Sequence, residues 1–339
     1  MRRRTLLCAL AALLPVSAGG ALASPAAPDT AVSAVSETTV TARPEPARAD
    51  TLALRLRPVQ TLGNAGGERT ALVEPSGVAA DAFGRIYVTD ASQHRLVRFD
   101  ARGTWLGEAG ALGSEPGDLR RPAGVTALGS LGVAVLDREN RRVVSYDLFG
   151  RLVGVLADFA ALEDELGRVD AVALSADRGG ALYVADADRD RVLVLDFAGR
   201  YVRTLGGFGA GAGSFRGLSG LGAGPRGELV TAERAGARVQ RLDASGSPLA
   251  AWPLPVRPGR GRLAVAVDDS LHIAVADEAS GRLWLFDPGG GLLGVLAGLA
   301  SPRALAFAPD GSLLVAEGGA GRVRRFALGS AGTSAPPGR

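Results

Sequence analysis

The sequence predicts an all-β fold, a six-bladed β-propeller of four-stranded antiparallel blades. Three observations predict it. An acidic residue followed five positions later by arginine recurs six times, as Asp90/Arg95, Asp137/Arg142, Asp186/Arg191, Glu233/Arg238, Asp277/Arg282 and Glu317/Arg322. The acids stand 47, 49, 47, 44 and 40 residues apart, and a period of that size marks a repeat architecture. Each copy consists of short period-two runs between Gly- and Asp-bearing turns, the pattern of antiparallel strands. The last copy lacks a fourth strand, while a spare strand-like segment stands ahead of the first copy.

The first copy gives the elements in order. Pro75 to Asp81 is a short apolar strand, and Ala82-Phe83-Gly84 a turn. Arg85 to Asp90 alternates and is rich in β-formers. Ala91 to His94 form a loop, Arg95 to Asp100 alternate again, Ala101-Arg102-Gly103 turn, and Thr104 to Gly107 begin a fourth strand. In the first five copies an aspartate stands ten positions after the acid, at Asp100, Asp147, Asp196, Asp243 and Asp287. The third copy carries two extra residues around Arg178-Gly179-Gly180, which predicts a longer turn. The nearest approach to a helix is Ala157 to Leu166, at most a short helical turn. Four-stranded units repeated around an axis are propeller blades.

The blade count follows from the ends. The sixth copy stops at Arg324-Arg325-Phe326-Ala327. Val59-Gln60-Thr61-Leu62-Gly63 parallels the fourth strand of the third copy, Val202-Arg203-Thr204-Leu205-Gly206. The N-terminal segment is therefore expected to complete the last blade and close the ring, removing exposed strand edges.

The run Pro75-Ser76-Gly77-Val78-Ala79, Gly84 to Asp90, His94 to Asp100 and Gly103 resembles an NHL repeat. The resemblance covers about residues 52 to 328. It is close in copies one to three and eroded in four and six, where Glu replaces the anchor Asp. It implies a propeller, often with a ligand- or protein-binding face, and no single activity.

The chain has 339 residues, 47% of them hydrophobic, with 48 Gly and 19 Pro. That is enough for one large repeat domain with tight turns and tails. All the basic side chains are arginine apart from two histidines, and the net charge of +3 is too balanced to argue for nucleic acid. Residues 1–23 read as an export signal: Arg2-Arg3-Arg4, an apolar run from Leu6 to Val16, and Ala21-Leu22-Ala23 for cleavage. Sec and twin-arginine export both stay open. The apolar run is too short for a convincing membrane span, so no stable span is expected after cleavage. The lone cysteine, Cys8, lies within the signal, so no disulfide is expected in the mature chain. Residues 24–50 and 329–339 read as disordered spacer and tail around a propeller at 51–328.

The acid–arginine pairs have two readings, a charged binding ring or a set of hairpin clamps. Their recurrence in every blade favours clamps. The loops between acid and arginine differ by blade: Ser92-Gln93-His94, Arg138 to Arg141 and Asp188-Arg189-Asp190 are polar, while blades four to six carry small residues. Loops leading into the inner strands add Arg120, Arg121, Arg168, Arg216, Arg260, Arg262 and Arg303. The expected binding face is therefore Gln93, His94, Arg121, Arg138, Asn140, Arg141, Arg168, Asp188, Arg189 and Arg216, for a protein or anionic ligand.

Asp186 to Asp190 resembles the start of a calcium loop but lacks its glycine and its glutamate, at Arg191 and Phe197. His94 and His272 are too few for the His-rich zinc site of amidating-lyase propellers. The Glu/Asn/Asp cage of gluconolactonase-type propellers finds no asparagine on an inner strand, since only Asn64 and Asn140 exist. No metal and no cofactor are expected. The reading is an exported, non-catalytic binding or scaffold module at the cell envelope or outside the cell. The alternative is a lyase or lactonase-like hydrolase acting in the channel.

Overall fold

The computed structural model describes residues 55–63, 67, 69–255 and 257–329. The expected export signal, the spacer and Asn64 lie outside them, as does the tail except for Gly329. Among the described residues no helix is long and apolar enough to cross a membrane. The strands form six four-stranded antiparallel sheets, each a blade. The six inner strands are Pro75–Ala80, Pro122–Ala127, Ala171–Ala176, Leu218–Ala223, Leu263–Val267 and Pro302–Phe307. In the first five blades the next three strands follow in chain order.

The sixth blade is completed from the other end of the chain. Arg55–Leu62 pairs antiparallel with Arg322–Gly329, with Leu62 opposite Val323. Gly329, expected to open the tail, instead ends this third strand. The expected helical stretch divides: Leu152–Asp158 is strand, and one helical turn follows at Glu163–Leu166.

The core lies between blades rather than within them. The second strands are buried on both faces, as in Ile86–Asp90 and Leu229–Glu233, because alternate side chains point to opposite neighbours. Six apolar clusters result, one for each blade interface. The closing interface joins Leu314, Ala316 and Val323 of the last blade to Val78, Val88 and Phe99 of the first. At about 1.5–3 kcal/mol for each fully buried Val or Leu, these contacts supply the main stabilisation of the ring.

Each acid ends a second strand and sits opposite its arginine, which opens the third. All six acids are buried. Five of their carboxylates reach back to the segment that leads into the blade. Asp137 accepts from the Arg120 N–H at 2.6 Å, and Asp186 from Asp170 at 2.9 Å. Glu233 accepts from Arg216 and Glu317 from Ala300, both at 2.9 Å. Asp90 accepts from Val73 at 2.7 Å and Glu74 at 3.0 Å. The arginines hold carbonyls of the same segments: Arg142 donates to Ser114, Glu115 and Asp118, and Arg238 to Ala210, Gly211 and Ser214.

Four pairs also close on themselves, at 2.9 Å for Arg142–Asp137, 2.8 Å for Arg191–Asp186, 2.7 Å for Arg238–Glu233 and 3.1 Å for Arg322–Glu317. The expected pairs Asp90/Arg95 and Asp277/Arg282 do not. Arg95 turns to Glu108, Gln93 and the Ala71 carbonyl, while the Asp90 oxygens accept the Val73 and Glu74 N–H groups. Asp277 accepts from the turn amides of Ala279 and Ser280. Its neighbour Glu278 takes the lead-in segment instead, accepting from the Arg262 N–H at 2.9 Å, and Arg282 is exposed.

The aspartates ten positions after the acids have a separate task. The Oδ1 atoms of Asp100, Asp147, Asp196, Asp243 and Asp287 each accept two N–H groups of their turn, at 2.7–3.0 Å. The Thr104 and Arg151 N–H groups hold Asp100 and Asp147 below the usual carboxylate range.

One backbone feature recurs in all six loops. The residue before each arginine, His94, Arg141, Asp190, Ala237, Gly281 and Gly321, has φ between 48° and 63°. Only glycine takes this left-handed conformation without steric cost. Gly281→Ala would also put a Cβ 2.3 Å from the Leu299 carbonyl oxygen. It is expected to lower stability by at least about 1–2 kcal/mol in urea unfolding. An unchanged midpoint would contradict this reading of the loop.

Candidate functional site

The loops between second and third strands open on the same face as the lead-in segments. A cavity of ≈ 360 Å³ lies there at the axis, lined by residues of blades five, six, one, two and three. Below it a neck of ≈ 60 Å³ runs between the inner strands, among them Gly77, Gly124 and Gly220. A wider stretch of ≈ 210 Å³ follows, and then a lower mouth of ≈ 520 Å³. Successive cavities share lining residues, so they follow one channel. Its inner wall is mostly small and apolar.

The structure divides the expected face. Arg121, Arg138, Arg141 and Arg168 line the cavity; Arg262 joins them from a lead-in segment, and Arg303, expected in a lead-in loop, from the start of the sixth inner strand. Gln93, His94, Asn140 and Arg189 are instead spent on scaffolding. Gln93 accepts from Arg95, and His94 Nδ1 accepts from the Arg121 backbone N–H at 3.0 Å. Asn140 donates to Gly113 and Asp137, and Arg189 to the Leu166 carbonyl. Asp188 and Arg216 are exposed and do not line the cavity. The calcium-like stretch is likewise committed to the backbone. Asp186 accepts from Asp170, Asp188 and Arg191, and Asp190 accepts from the Leu218 N–H at 2.7 Å. His272 is held by Asp268 at 2.8 Å. Among the described residues no three of His, Cys, Asp and Glu group in a way that could hold a metal ion.

The mouth is built from aligned positions. The residue before each inner strand is Glu74, Arg121, Asp170, Gly217, Arg262 and Ser301 in turn. The residue after each acid is Ala91, Arg138, Ala187, Arg234, Glu278 and Gly318. Ion pairs link them from blade to blade. Glu278 binds Arg303 at 2.8 Å, Arg303 binds Glu74, and Glu74 binds Arg121 at 3.1 Å. Arg138 binds Asp170 at 2.8 Å, and Arg141 binds Glu163 at 2.8 Å. The chain of charge stops at blade four, where Gly217 has no side chain.

Arg262 is the exception. Its guanidinium makes no hydrogen bond or ion pair among the described residues, although it lines both the cavity and the neck. Burial first, and then the charge of Arg138, push it below the usual guanidinium value. Arg303 moves the other way. Burial opposes its charge, but the hydrogen bonds to Glu74 and Glu278 prevail and raise it. Glu74 is the anchor: burial alone would raise it, yet Ser92, Arg303 and Arg121 hold it down at about 2.

Arg262 and Arg303 were visible in the sequence among the lead-in arginines, without any sign that they meet at the axis. The column preceding the inner strands was the signal that could have singled out Arg262.

No protein-family model and no curated protein matches the chain. Solved structures do match in fold. A streptogramin B lyase aligns with a TM-score of 0.60 at 12% identity, over 81% of this chain and 98% of that one. A gluconolactonase from Xanthomonas campestris gives 0.58 at 14%, over 81% and 98%. A nidogen/laminin complex gives 0.50 at 17%, over 66% and 84%. At these identities the likeness is one of fold, and it supports the six-bladed propeller.

Because Glu74 is depressed, its contribution is complete above about pH 4.5 and is lost as pH falls towards about 2. Glu74→Gln is expected to cost of the order of 2 kcal/mol near neutral pH. The gap to the parent should narrow to under about half by pH 3. Urea unfolding of both proteins across that range checks it. A gap independent of pH would contradict the network.

Proposed function

We propose that this chain is an exported NHL-type propeller that works without catalysis, as a binding or scaffold module at the cell envelope or outside the cell. Its contact surface is the charged axial mouth, and its partner presents negative charge there. The signal-like N-terminus supports export, and the NHL-like repeat supports a binding face. One observation carries the rest. Around the axial cavity stand six arginines, from Arg121 to Arg303, against three lining carboxylates, Glu74, Glu139 and Asp170, and two more, Glu163 and Glu278, that pair with Arg141 and Arg303. An excess of positive charge in a concave site between low-dielectric walls focuses its field on an approaching anion.

The face is narrower than the loops alone indicated. Arg141 and Arg168 belong to it, and Arg216 stands outside. A fluorescent deca-glutamate peptide provides the test. Its binding should weaken as salt rises. Arg141→Glu with Arg168→Glu should weaken it by about tenfold or more, and Arg216→Glu by less than about twofold. Equal losses from the two variants would contradict the assignment.

The second reading is a lyase or lactonase-like hydrolase working on a small molecule or sugar in the channel. The fold likeness to a lyase and a gluconolactonase favours it. Turnover of a lactone or uronic-acid substrate by the purified chain, with stoichiometric metal, would put it first.

A further inference from the structure

We propose that Arg262 is the recognition element of a carboxylate-binding site at the junction of the axial cavity and its neck. The inference rests on the reading of the mouth as an anion-binding surface and names what the deepest point of that surface takes.

The cavity's arginines are not equivalent. Arg121, Arg138, Arg141 and Arg303 are each matched by a carboxylate from the protein. Arg168 is exposed at the rim. Arg262 alone is both half-buried and unmatched among the described residues. It comes from blade five, yet it lines the same cavity as Arg138 of blade two, on the opposite side of the six-bladed ring, and as Arg303, and both arginines lower its guanidinium value. Its guanidinium thus lies towards the axis, beside two like charges. Leaving a desolvated charge unmatched is unfavourable, and a bound anion would relieve it.

The surrounding groups select the kind of anion. A guanidinium offers parallel N–H donors that match a planar carboxylate in a two-point contact. Only one unmatched guanidinium is available at this depth. Glu278 and Asp170 also act on Arg262, which disfavours a second negative charge. One monoanionic, planar group fits this balance better than a phosphate dianion. The neck below offers Gly77, Gly124, Val125 and Leu221, so the apolar remainder of a small ligand meets an apolar wall.

The experiment uses propionate as the carboxylate probe and inorganic phosphate as the competitor, at constant ionic strength. Saturation-transfer NMR reads the propionate signals on the parent, Arg262→Met, Arg262→Lys and Arg216→Met. The parent and Arg216→Met, whose arginine stands outside the cavity, are expected to bind alike. Arg262→Met should lose about tenfold or more in affinity, and Arg262→Lys should also lose affinity because it keeps the charge without the fork. Arg262→Met should melt no lower than the parent, since it removes an unmatched charge from a crowded site. A marked fall in its melting temperature would assign Arg262 a structural role and overturn the proposal. Unchanged propionate binding by Arg262→Met would overturn the site, and tighter binding of phosphate than of propionate would overturn the ligand class. Deca-glutamate binding without propionate binding would remove this site and leave the charged mouth standing. Failure of both probes would remove both.

Discussion

A carboxylate buried at the end of each second strand organises this ring. It is placed where the chain must pass from one blade to the next, and there it accepts backbone N–H groups that have no strand partner. A buried amide without an acceptor is costly, so a lead-in segment held this way has little freedom to wander. The arginine five positions on secures carbonyls of the same segment. The inner strand therefore starts at a defined height and angle, and the aligned residues beside it form rings around the axis. Blade five shows that the requirement is for a carboxylate at this spot rather than for a particular residue, since Glu278 supplies what Asp277 does not.

That regular frame makes an irregular mouth possible. Of the positions just before the inner strands and just after the acids, Glu74, Ala91, Arg121, Arg138, Asp170 and Arg262 line the mouth, and these carry the asymmetry. From blade five through six, one and two, opposite charges alternate closely enough to link up. Blade four has no side chain at Gly217, and its Arg234 donates to the Gly261 carbonyl, so the alternation does not continue through it. The clamps are thus buried between blades, while the irregular charges face the channel.

The fold was legible because its determinants are local and repeated. The acid, the arginine, the turn aspartate and the period-two runs each act within one copy, so the spacing alone counts the blades and finds the strand that closes the ring. The candidate mouth was legible only in part. Arg138 and Arg141 stood out in a polar loop against small ones, and Arg121 and Arg168 among the lead-in arginines. Gln93, Asn140 and Arg189 carried the same signal, but their partners lie in connecting segments about two dozen residues earlier or in the turn itself, and these consume their hydrogen bonds. Arg262 depended on geometry that no spacing encodes. The charges that act on it come from blades two and three across the channel, about a hundred positions away, as well as from blades five and six. Asp90 and Asp277 accept backbone amides and not their arginines, a departure that the repeat spacing does not show.

The carboxylate–backbone contacts outrank the carboxylate–arginine pair in holding the ring, and Asp90 separates the two. Asp90 holds Val73 and Glu74 but not Arg95, whereas Asp137 holds both its lead-in amide and Arg142. Urea unfolding of Asp90→Asn beside Asp137→Asn is the decisive comparison. If the amide contacts govern the ring, both substitutions lower stability by about 2 kcal/mol or more. A silent Asp90→Asn beside a costly Asp137→Asn would show that the ion pair, and not the hold on the connecting backbone, keeps the blades in place.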